Sequence, residues 1–353
     1  MKVLVAMSGG VDSSVAAKIL IDQGYECVGA TMKLYEGLDA GVIEESACCS
    51  ADDVADARQV SYSLKMPYYV FNFKDGFKEK IIDNFVCSYL SGVTPNPCVE
   101  CNRFMKFDKL FERAEVLGCD YIATGHYVRR EQKDGKFILK KALDPTKDQS
   151  YVLYFLDQKL LSKLLFPLGD LEKTRTREIA QASGFINARK RDSQDICFVP
   201  DGKYANFIAR VKGQLPPPGD YVDLNGKVLG KHKGIIYYTL GQHKGLGIST
   251  DTKLFVVRID VKNNLVVLGE EKDLYSNECL VENVSFVSGE RLTEPVRCKA
   301  KTRYRQVEQP ATIYPHERGV RVVFDQPQRA ITPGQYAVFY DEDVVLGGGR
   351  IVL

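Results

Sequence analysis

Short apolar runs alternate with amphipathic segments up to about residue 125 of the chain. The apolar runs lie at 2–5, 26–32, 68–72 and 121–124. Each run is short and rich in aliphatic or aromatic residues, which is typical of strands buried in a parallel sheet. Between the first two runs, residues 15–23 predict a helix that ends at Gly24. This alternation predicts an α/β fold with a doubly wound parallel sheet.

The pattern changes at residues 215–219, where the run Leu-Pro-Pro-Pro-Gly makes a stiff break in the chain. Residues 221–269 are rich in glycine and contain only short strand-like runs. From residue 276 onward, short apolar stretches separated by turn signals predict a small β-barrel or sandwich. We therefore expect a parallel-sheet domain over 1–214, a small mixed central domain over 215–274 and a C-terminal β-barrel over 275–353.

Composition narrows the class of protein. A chain of 353 residues with 44% hydrophobic and 27% charged residues has room for two to three ordinary globular domains. We find no apolar run long enough to cross a bilayer and no signal-peptide core at the N-terminus, so we expect a cytoplasmic protein without membrane partners. The net charge is only +2, so any nucleic-acid site must be a local basic patch.

A polar loop with two glycines joins the first strand to the first helix. It reads Ala6-Met7-Ser8-Gly9-Gly10-Val11-Asp12-Ser13-Ser14. The glycines let the backbone approach a ligand closely, and the N–H groups of the next helical turn favour an anion. Asp12 is a candidate magnesium-binding carboxylate. The loop lacks the Gly-Lys-Ser/Thr ending of a Walker A motif. An ordinary glycine-rich turn is the alternative, but the S-G-G-x-D-S form resembles the PP-loop of the ATP pyrophosphatases.

The cysteines suggest thiol chemistry. Ten cysteines without a secretion signal favour reactive thiols or a metal over a disulfide framework. Cys98 and Cys101 form a C-x-x-C pair within 92–102, which contains two prolines and which we expect to be an irregular loop. This spacing suits zinc, an iron–sulfur cluster, a redox pair or a nucleophile. A second C-x-x-C pair is absent, which argues against closed structural zinc, and Cys197 is the remaining candidate partner.

For Cys197, which precedes Phe198 in the sequence, half-buried packing is the alternative to a role in thiol chemistry. The other cysteines that we assign to packing are Cys27, Cys87, Cys119, Cys279 and Cys298.

A basic stretch near the C-terminus alternates with period two. Arg297, Lys299, Lys301, Arg303 and Arg305 would share one face of a strand. Five cations on one face repel one another unless a polyanion or nearby carboxylates compensate. A solvated edge strand is the alternative, but that role needs fewer charges, so we favour contact with a phosphate backbone. A second, weaker basic set consists of Lys231, His232, Lys233, His243 and Lys244.

Ordered motifs along the whole chain carry a resemblance to one family. They are S-G-G-V-D-S-S (8–14), C-C-S-A-D-D (48–53), T-P-N-P-C-x-x-C-N (94–102), A-T-G-H-Y (123–127), K-D-Q-S-Y (147–151), S-Q-D-I-C-F (193–198), Y-T-L-G-Q (238–242), K-T-R-Y-R (301–305), T-P-G-Q (332–335) and L-G-G-G (346–349). With these motifs the chain resembles the tRNA-specific 2-thiouridylases.

The resemblance implies a reaction. ATP would adenylate the wobble uridine of an unmodified tRNA on the oxygen at carbon 2, because a urea-like carbonyl must be activated before sulfur can attack it. Sulfur would arrive as a persulfide on Cys197, supplied by a cysteine desulfurase directly or through a relay protein. Cys101 would release that sulfur as a nucleophile, leaving a Cys101–Cys197 disulfide to be reduced. The implied cofactors are ATP and Mg²⁺.

The resemblance also implies binding roles for residues at matching positions. The expected ATP contacts are Ala6, Met7, Ser8, Gly9, Gly10, Val11, Asp12, Ser13, Met32 and Gly125. The expected contacts to the target base are Asn96, Pro97 and Cys98. The expected tRNA contacts are His126, Lys147, Asp148, Gln149, Arg303, Tyr304 and Gln335.

The chain departs from the family pattern at two positions. Cys98 stands where many members carry Asp, which supplies a third thiol beside Cys101 and Cys197. Three thiolates could hold a [4Fe–4S] cluster with one iron open to sulfide, so the same reaction could use a cluster instead of a persulfide. His243 stands where Arg is common, which would weaken one phosphate contact.

Three other interpretations compete with this one. A PP-loop amidotransferase or ligase, such as a GMP synthetase-like enzyme, would not explain the cysteines or the basic C-terminal region. A non-catalytic RNA-binding protein with a vestigial PP-loop fold would not need the intact loop motif. A purely structural metal site at Cys98, Cys101 and Cys197 would make those residues matter for stability and not for sulfur transfer.

Overall fold

A computed structural model of the chain describes residues 1–35, 51–192, 196–199, 201–213, 215–250 and 252–352. The strands are β1 (Lys2–Ala6), β2 (Glu26–Lys33), β3 (Tyr68–Asn72), β4 (Tyr121–Ala123), β5 (Val128–Lys133), β6 (Lys136–Lys141), β7 (Leu164–Leu165), β8 (Gly219–Val222), β9 (Val228–His232), β10 (Phe255–Asp260), β11 (Leu265–Gly269), β12 (Tyr275–Phe286), β13 (Val296–Lys301), β14 (Gln309–His316), β15 (Gly319–Arg329), β16 (Tyr336–Asp341) and β17 (Val344–Val352).

The helices are α1 (Val11–Asp22), α2 (Ala51–Ser63), α3 (74–90), α4 (97–116), α5 (Gln158–Ser162), α6 (Lys173–Ala182) and α7 (Tyr204–Lys212). Helix α3 consists of Lys74–Phe77, a π-helical stretch Lys78–Ile82 and Asp83–Leu90, and α4 consists of Pro97–Glu100, a π-helical stretch Cys101–Lys109 and Leu110–Val116. Short 3₁₀ turns lie at Ser150–Leu153, Ile235–Tyr237 and Glu271–Leu274. The motif positions 48–50 and 193–195 lie outside the described residues.

The N-terminal sheet is parallel and has the strand order β3-β2-β1-β4-β7. Its central strand β1 is buried on both faces, because Leu4 packs in one apolar cluster while Val3 and Val5 pack in another. Successive residues of a strand point to opposite faces, so helices and loops must cover both sides of this sheet. The predicted doubly wound parallel sheet is therefore confirmed.

Helix α1 begins at Val11, directly after Gly10, so the prediction of a start at residue 15 is wrong. The hydroxyl groups of Ser13 and Ser14 donate hydrogen bonds to the Gly10 carbonyl, at 3.1 and 3.0 Å. Serine side chains often form hydrogen bonds with nearby backbone groups that compete with helix formation. Here both hydroxyl groups bond to a carbonyl at the start of the helix, so they are compatible with it. The helix N-terminus therefore faces the glycine loop directly.

The predicted irregular loop over 92–102 is wrong for its second half. Pro97 occupies the first helical position, where the missing N–H would have no intrahelical partner. The Asn96 side chain caps this end by accepting a hydrogen bond from the Cys98 backbone N–H at 3.2 Å. The second proline therefore starts helix α4, and Cys98 and Cys101 lie on its first turns.

A closed antiparallel barrel forms the C-terminal part, as predicted. Its six strands run β12-β15-β14-β13-β16-β17, and pairing between β12 and β17 closes the ring. The β5–β6 hairpin joins this barrel through β17, where the backbone N–H of Lys141 also donates to the Asp343 carbonyl at 2.8 Å. The N-terminal half of the chain therefore contributes two strands to the C-terminal sheet.

The middle segment forms a separate four-stranded mixed sheet in the order β10-β11-β8-β9. His232 of the predicted second basic set is 2% exposed here and belongs to the core. Its Nε2 lies 3.0 Å from the Asn264 carbonyl, and its Nδ1 accepts a hydrogen bond from the Gly234 N–H at 3.0 Å. Lys231 pairs with Asp220 at 2.7 Å. The second basic set is therefore not a continuous surface patch.

The predicted one-sided basic strand is also wrong. Strand β13 ends at Lys301, which is buried, so the last two cations lie in the following turn. Arg297 forms a two-point ion pair with Asp325 on β15, and Lys299 lies 3.3 Å from Glu342. Carboxylates on neighbouring segments therefore compensate Arg297 and Lys299, which period-two alternation alone could not indicate.

Cys27, Cys279 and Cys298 are buried as expected, whereas Cys87 is exposed on α3, so its assignment to packing is wrong.

Of the helices in the described ranges, none combines the length and the apolar character that a membrane span requires.

The T-P-G-Q loop of the barrel packs against the segment that precedes α4. The Thr94 N–H donates to the Pro333 carbonyl at 3.1 Å, and the Gln335 amide donates to the carbonyls of Thr94 and Pro95 at 3.0 and 3.2 Å. Between them, Gly334 adopts φ +88°, and a Cβ there would lie 2.2 Å from a Val93 methyl group. This contact ties the barrel to the start of helix α4, which carries Cys98 and Cys101 and is called the cysteine helix below.

Gly334→Ala should destabilise the protein through this close approach. Gly289→Ala is the matched control, because Gly289 has a similar φ of +78° but, among the described residues, no neighbour within 4 Å of the point that a Cβ would occupy. We expect both variants to lose about 1 kcal/mol from backbone strain, and Gly334→Ala to lose about 1–3 kcal/mol more from the clash. Urea unfolding measures both free energies, and equal losses would contradict the proposed contact.

Candidate active site

A cavity of about 1570 Å³ opens at the carboxyl ends of β1, β2 and β4. Ligands bind at this edge of open parallel sheets in general. Nine of the ten predicted ATP residues line the cavity: Ala6, Met7, Ser8, Gly10, Val11, Asp12, Ser13, Met32 and Gly125. The predicted loop, the second strand and the end of the fourth strand therefore converge on one space.

The remaining predicted residue, Gly9, is not among the lining residues but packs against the start of α2. Its φ is +73°, and a Cβ would lie 2.3 Å from the Asp53 carbonyl oxygen at the start of α2. The Asn187 amide donates to the Gly9 carbonyl and to the Ser14 hydroxyl, both at 2.9 Å. The loop is therefore held from two sides, and its shape requires glycine at this position.

Gly125 makes a second close approach. A Cβ on Gly125 would lie 2.8 Å from the Asp12 carbonyl carbon and from the Ser13 nitrogen. The end of β4 therefore touches the first turn of α1, whose dipole favours an anion in the cavity. Any side chain at residue 125 would push these two elements apart.

Asp12 is occupied by partners inside the chain. Lys173 donates to both of its carboxylate oxygens at 2.6 and 2.8 Å, and the Tyr127 hydroxyl donates to one of them at 3.0 Å. Lys173 is buried and also lies 2.8 Å from Asp192. In this arrangement Asp12 anchors a lysine, and a role as a magnesium ligand would require that lysine to move.

Sequence reasoning missed Lys173. The residue opens α6, where its positive charge opposes the helix dipole, and that local mismatch is the one signal that could have drawn attention to it. Asp192 receives further cations, because Lys147 lies 2.8 Å and Arg177 2.9 Å away. Burial alone would raise the pKa of Asp192, but the hydrogen bonds from Lys147 and Lys173 outweigh it and lower the pKa below its ordinary value.

A second group of hydrogen-bonded polar side chains also lines the cavity. The Thr124 hydroxyl is 2.7 Å from Nδ1 of His126, and Nε2 of the same ring is 3.2 Å from Nζ of Lys106 on α4. Burial, assisted by the nearby Lys106 charge, holds the pKa of His126 well below its ordinary value. The ring is therefore neutral, with Nε2 accepting from Lys106 and the Nδ1 proton donated to Thr124.

The barrel also contributes residues to the lining of the cavity. Tyr304, Arg305, Gln306, Val307 and Glu308 in the β13–β14 turn line it, together with the predicted tRNA residues His126, Lys147, Asp148 and Gln149. The remaining predicted tRNA residues, Arg303 and Gln335, form hydrogen bonds within the chain. Arg303 donates to the Ala330 carbonyl at 2.6 Å and to the Thr332 hydroxyl at 2.8 Å, and Gln335 binds the segment before α4.

Cys98, Cys101 and Cys197 lie outside the residues that line this cavity. Cys98 is exposed, Cys101 and Cys197 are half-buried, and none of them is part of a disulfide. The Tyr35 hydroxyl donates to the Cys197 carbonyl at 2.9 Å, while the adjacent Phe198 packs edge-on against Phe77 and Phe85. Phe198 therefore anchors this segment, and the half-buried Cys197 packs against the same core.

The donor set does not match a resident metal centre. Within the described ranges, no group of three or more His, Cys, Asp or Glu side chains is arranged to hold a metal ion. Three thiolate ligands of one [4Fe–4S] cluster would have to converge, and these three cysteines do not form such a group.

Lys173→Met should strongly destabilise the protein. The change removes the buried ammonium group that joins Asp12 to Asp192. Breaking a fully buried pair costs about 3–5 kcal/mol, and we expect about 2–3 kcal/mol here, because both carboxylates are partly exposed and Asp192 keeps Lys147 and Arg177. Lys18→Met on α1 is the control, because its pair with Asp22 is exposed and contributes about 0.5 kcal/mol. Chemical denaturation measures the free energy of unfolding of both variants. Similar losses would show that the Lys173 bridge stabilises the protein no more than an exposed ion pair does.

The lowered pKa of His126 predicts a pH-dependent loss of stability. The unfolded ring binds a proton near its ordinary pKa of about 6.5, whereas the folded ring does not, so stability falls as the pH drops below that value. Relative to His126→Gln, the wild-type protein should lose up to about 1.4 kcal/mol per pH unit below pH 6.5. Unfolding free energies between pH 7.5 and 5.5 give this comparison, and parallel curves would contradict it. The exposed His316→Gln serves as the control.

Comparison with known proteins identifies the family. Three family descriptions match consecutive parts of the chain: a tRNA methyl transferase HUP domain at 1–201, a tRNA methyl transferase PRC-barrel domain at 205–270 and an aminomethyltransferase beta-barrel domain at 276–351. The tRNA-specific 2-thiouridylase MnmA of Clostridium acetobutylicum is 50% identical over 351 residues, covering 99% of both chains.

Two further relatives carry the same name and a similar likeness. The enzyme of Acetivibrio thermocellus is 51% identical over 354 residues and covers 99% of both chains, and that of Clostridioides difficile is 49% identical with 99% of this chain and 98% of its own covered. On this full-length similarity, the chain belongs to the tRNA-specific 2-thiouridylase family of enzymes.

Proposed function

We propose that this protein is an ATP-dependent sulfurtransferase that replaces the carbon-2 oxygen of the wobble uridine of tRNA with sulfur. The observation that supports the proposal is the shared cavity, which is lined both by the PP-loop and by the barrel turn at 304–308. A nucleotide on the loop and an RNA base presented by the barrel side would meet there. The relatives with 49–51% identity bear the name of this activity.

In the first step, the chain would bind ATP through the loop residues 6–13 and the N-terminus of α1. The uridine O2 attacks the α-phosphorus, the bond to the β-phosphate oxygen breaks, and pyrophosphate leaves with that electron pair. The N3 proton of the activated uracil passes to water. Mg²⁺ would accompany the ATP phosphates as their counter-ion, because Lys173 and Tyr127 already occupy the Asp12 carboxylate.

In the second step, a persulfide on Cys197 would supply sulfur. The Cys101 thiolate attacks Sγ of Cys197, a Cys101–Cys197 disulfide forms, and the outer sulfur leaves as hydrosulfide. Hydrosulfide adds to carbon 2 and AMP departs, which leaves 2-thiouridine. A dithiol then reduces the disulfide. The persulfide itself would come from a cysteine desulfurase or a relay protein.

We assign the remaining roles by position. Asn96, Pro97 and Cys98 at the start of α4 would contact the target base. His126, Lys147, Asp148, Gln149, Arg303, Tyr304 and Gln335 would contact tRNA. We place the domain boundaries at 214/215 and 274/275, with the β5–β6 hairpin as the part of the catalytic domain that is hydrogen-bonded to the barrel.

The cluster mechanism is the second candidate, motivated by the three thiols, although no convergent donor group supports it in the described part of the chain. A non-catalytic RNA-binding protein is the third candidate, and it would leave the loop motif without a use.

The wild-type protein should make 2-thiouridine without iron. The assay combines iron-free enzyme in air with ATP, Mg²⁺, a dithiol, an unmodified tRNA transcript, and cysteine desulfurase plus cysteine. Mass spectrometry of digested tRNA detects the product. Cys197→Ala should abolish thiolation but keep tRNA-dependent pyrophosphate release, because adenylation precedes sulfur transfer. Cys87→Ala removes an exposed thiol on α3 and should change neither.

Each other outcome selects another candidate. Thiolation that starts only after iron and sulfide are restored under anaerobic conditions would establish a cluster and remove Cys101 as the nucleophile. Absence of tRNA-dependent pyrophosphate release from the wild-type protein would overturn the proposed activity and favour the RNA-binding alternative.

A further inference from the structure

Among the described residues that line the cavity, one lysine lacks the acidic partner that the other lysines have. Lys106, Lys141, Lys147, Lys190 and Lys301 line the space. Ion pairs join Lys141 to Glu308, Lys147 to Asp192, Lys190 to Asp53 and Asp56, and Lys301 to Asp148. In the part of the chain whose positions the structure describes, no carboxylate forms such a pair with Lys106. Its charge is therefore available to an anion in the cavity.

The surroundings of Lys106 hold its ammonium group in place without neutralising it. Its Nζ lies 3.2 Å from Nε2 of His126, whose Nδ1 lies 2.7 Å from the Thr124 hydroxyl. His126 and Thr124 are 6% and 2% exposed, so this chain of hydrogen bonds is a rigid support. A neutral imidazole accepts one of the three ammonium protons, and the other two can reach a ligand.

The position of Lys106 in the fold links the nucleotide to the cysteine helix. It lies in the π-helical stretch of α4, five residues after Cys101, and π-helical hydrogen bonds join residues five apart. It also lines the cavity, together with the PP-loop residues, Met32 and Gly125. An anion near Lys106 would therefore lie between the α1 N-terminus and the start of α4.

We propose that Lys106 is a catalytic residue that contacts the α-phosphate of ATP and stabilises the charge that builds on it during adenylation. This inference rests on the proposed function. As the uridine O2 forms its bond to the α-phosphorus and the bond to pyrophosphate breaks, negative charge increases on the phosphate oxygens. A fixed ammonium group aimed at those oxygens lowers the barrier of this step. His126 positions the lysine and takes no proton from the uridine, because its Nε2 lone pair already accepts from Lys106.

Substitution of Lys106 tests the proposal. Lys106→Met should lower kcat for tRNA-dependent pyrophosphate release by about 100-fold or more, the scale seen when one stabilising donor is removed. Lys106→Gln keeps a donor for His126 but removes the charge, so its loss should be similar. Lys106→Arg retains the charge and should recover most of the rate. The ATP KM should change much less than kcat, because the contact strengthens in the transition state.

Lys109→Met is the matched control. Lys109 lies on the same helix and pairs with Glu112 outside the cavity, so its loss should leave both rates unchanged. In Lys106→Met, 2-thiouridine should fall in the same proportion as pyrophosphate release, whereas Cys197→Ala should affect thiouridine alone. The melting temperature of each variant shows whether a lost rate reflects lost catalysis or lost folding. If Lys106→Met does not fold, Lys106→Gln takes its place in the comparison.

Two results would overturn the proposal. Pyrophosphate release within about threefold of wild type in both Lys106→Met and Lys106→Gln would show that Lys106 has no role in adenylation. The proposed function would still stand in that case, provided that the wild-type protein makes 2-thiouridine. Equal losses in Lys106→Arg and Lys106→Gln would show that a positive charge is not what the site requires.

Discussion

The cavity depends on the buried bridge in which Lys173 joins Asp12 of the PP-loop to Asp192. These residues come from three distant parts of the chain, and one ammonium group holds them together. Burying such charges costs solvation energy, so the bridge is a poor source of net stability. What it provides is position: it sets the first turn of α1 against the segment that leads toward Cys197.

The same bridge would also favour anion binding at the loop. Asp12 would otherwise place a negative charge beside the helix N-terminus, where the proposed ATP phosphates would bind. Paired with Lys173 and hydrogen-bonded by Tyr127, its charge is compensated within the wall. The positive end of the helix and the Lys106 ammonium group then face the cavity.

The barrel completes a site that the parallel sheet begins. Its β13–β14 turn supplies part of the cavity lining, and its T-P-G-Q loop holds the segment that leads into α4. The β5–β6 hairpin strengthens this union by pairing with β17. Because residues from both halves of the chain line the cavity, displacement of the barrel would open the cavity and move the start of α4 together. Under the proposed function, this geometry would couple RNA binding to adenylation.

Predictions from local sequence succeeded where one segment contained all the information. The PP-loop, the parallel strands and the closed barrel follow from short-range patterns of apolar residues, glycines and turns. The prediction failed at Pro97, because a proline that ends a loop and a proline that starts a helix look alike until the capping Asn96 is placed. It failed along 297–305, because the carboxylates Asp325 and Glu342 belong to other segments of the barrel.

By itself, the sequence determined the strand–loop–helix that would hold ATP, the order of the domains and the cysteines worth testing, since each rests on residues that are neighbours along the chain. The tertiary structure alone decided that Asp12 binds Lys173, that His126 lies against Lys106 and that a barrel turn lines the same cavity as the PP-loop. Such contacts join residues 20 to more than 100 positions apart. No local pattern encodes them, because they exist only when distant elements are packed against one another.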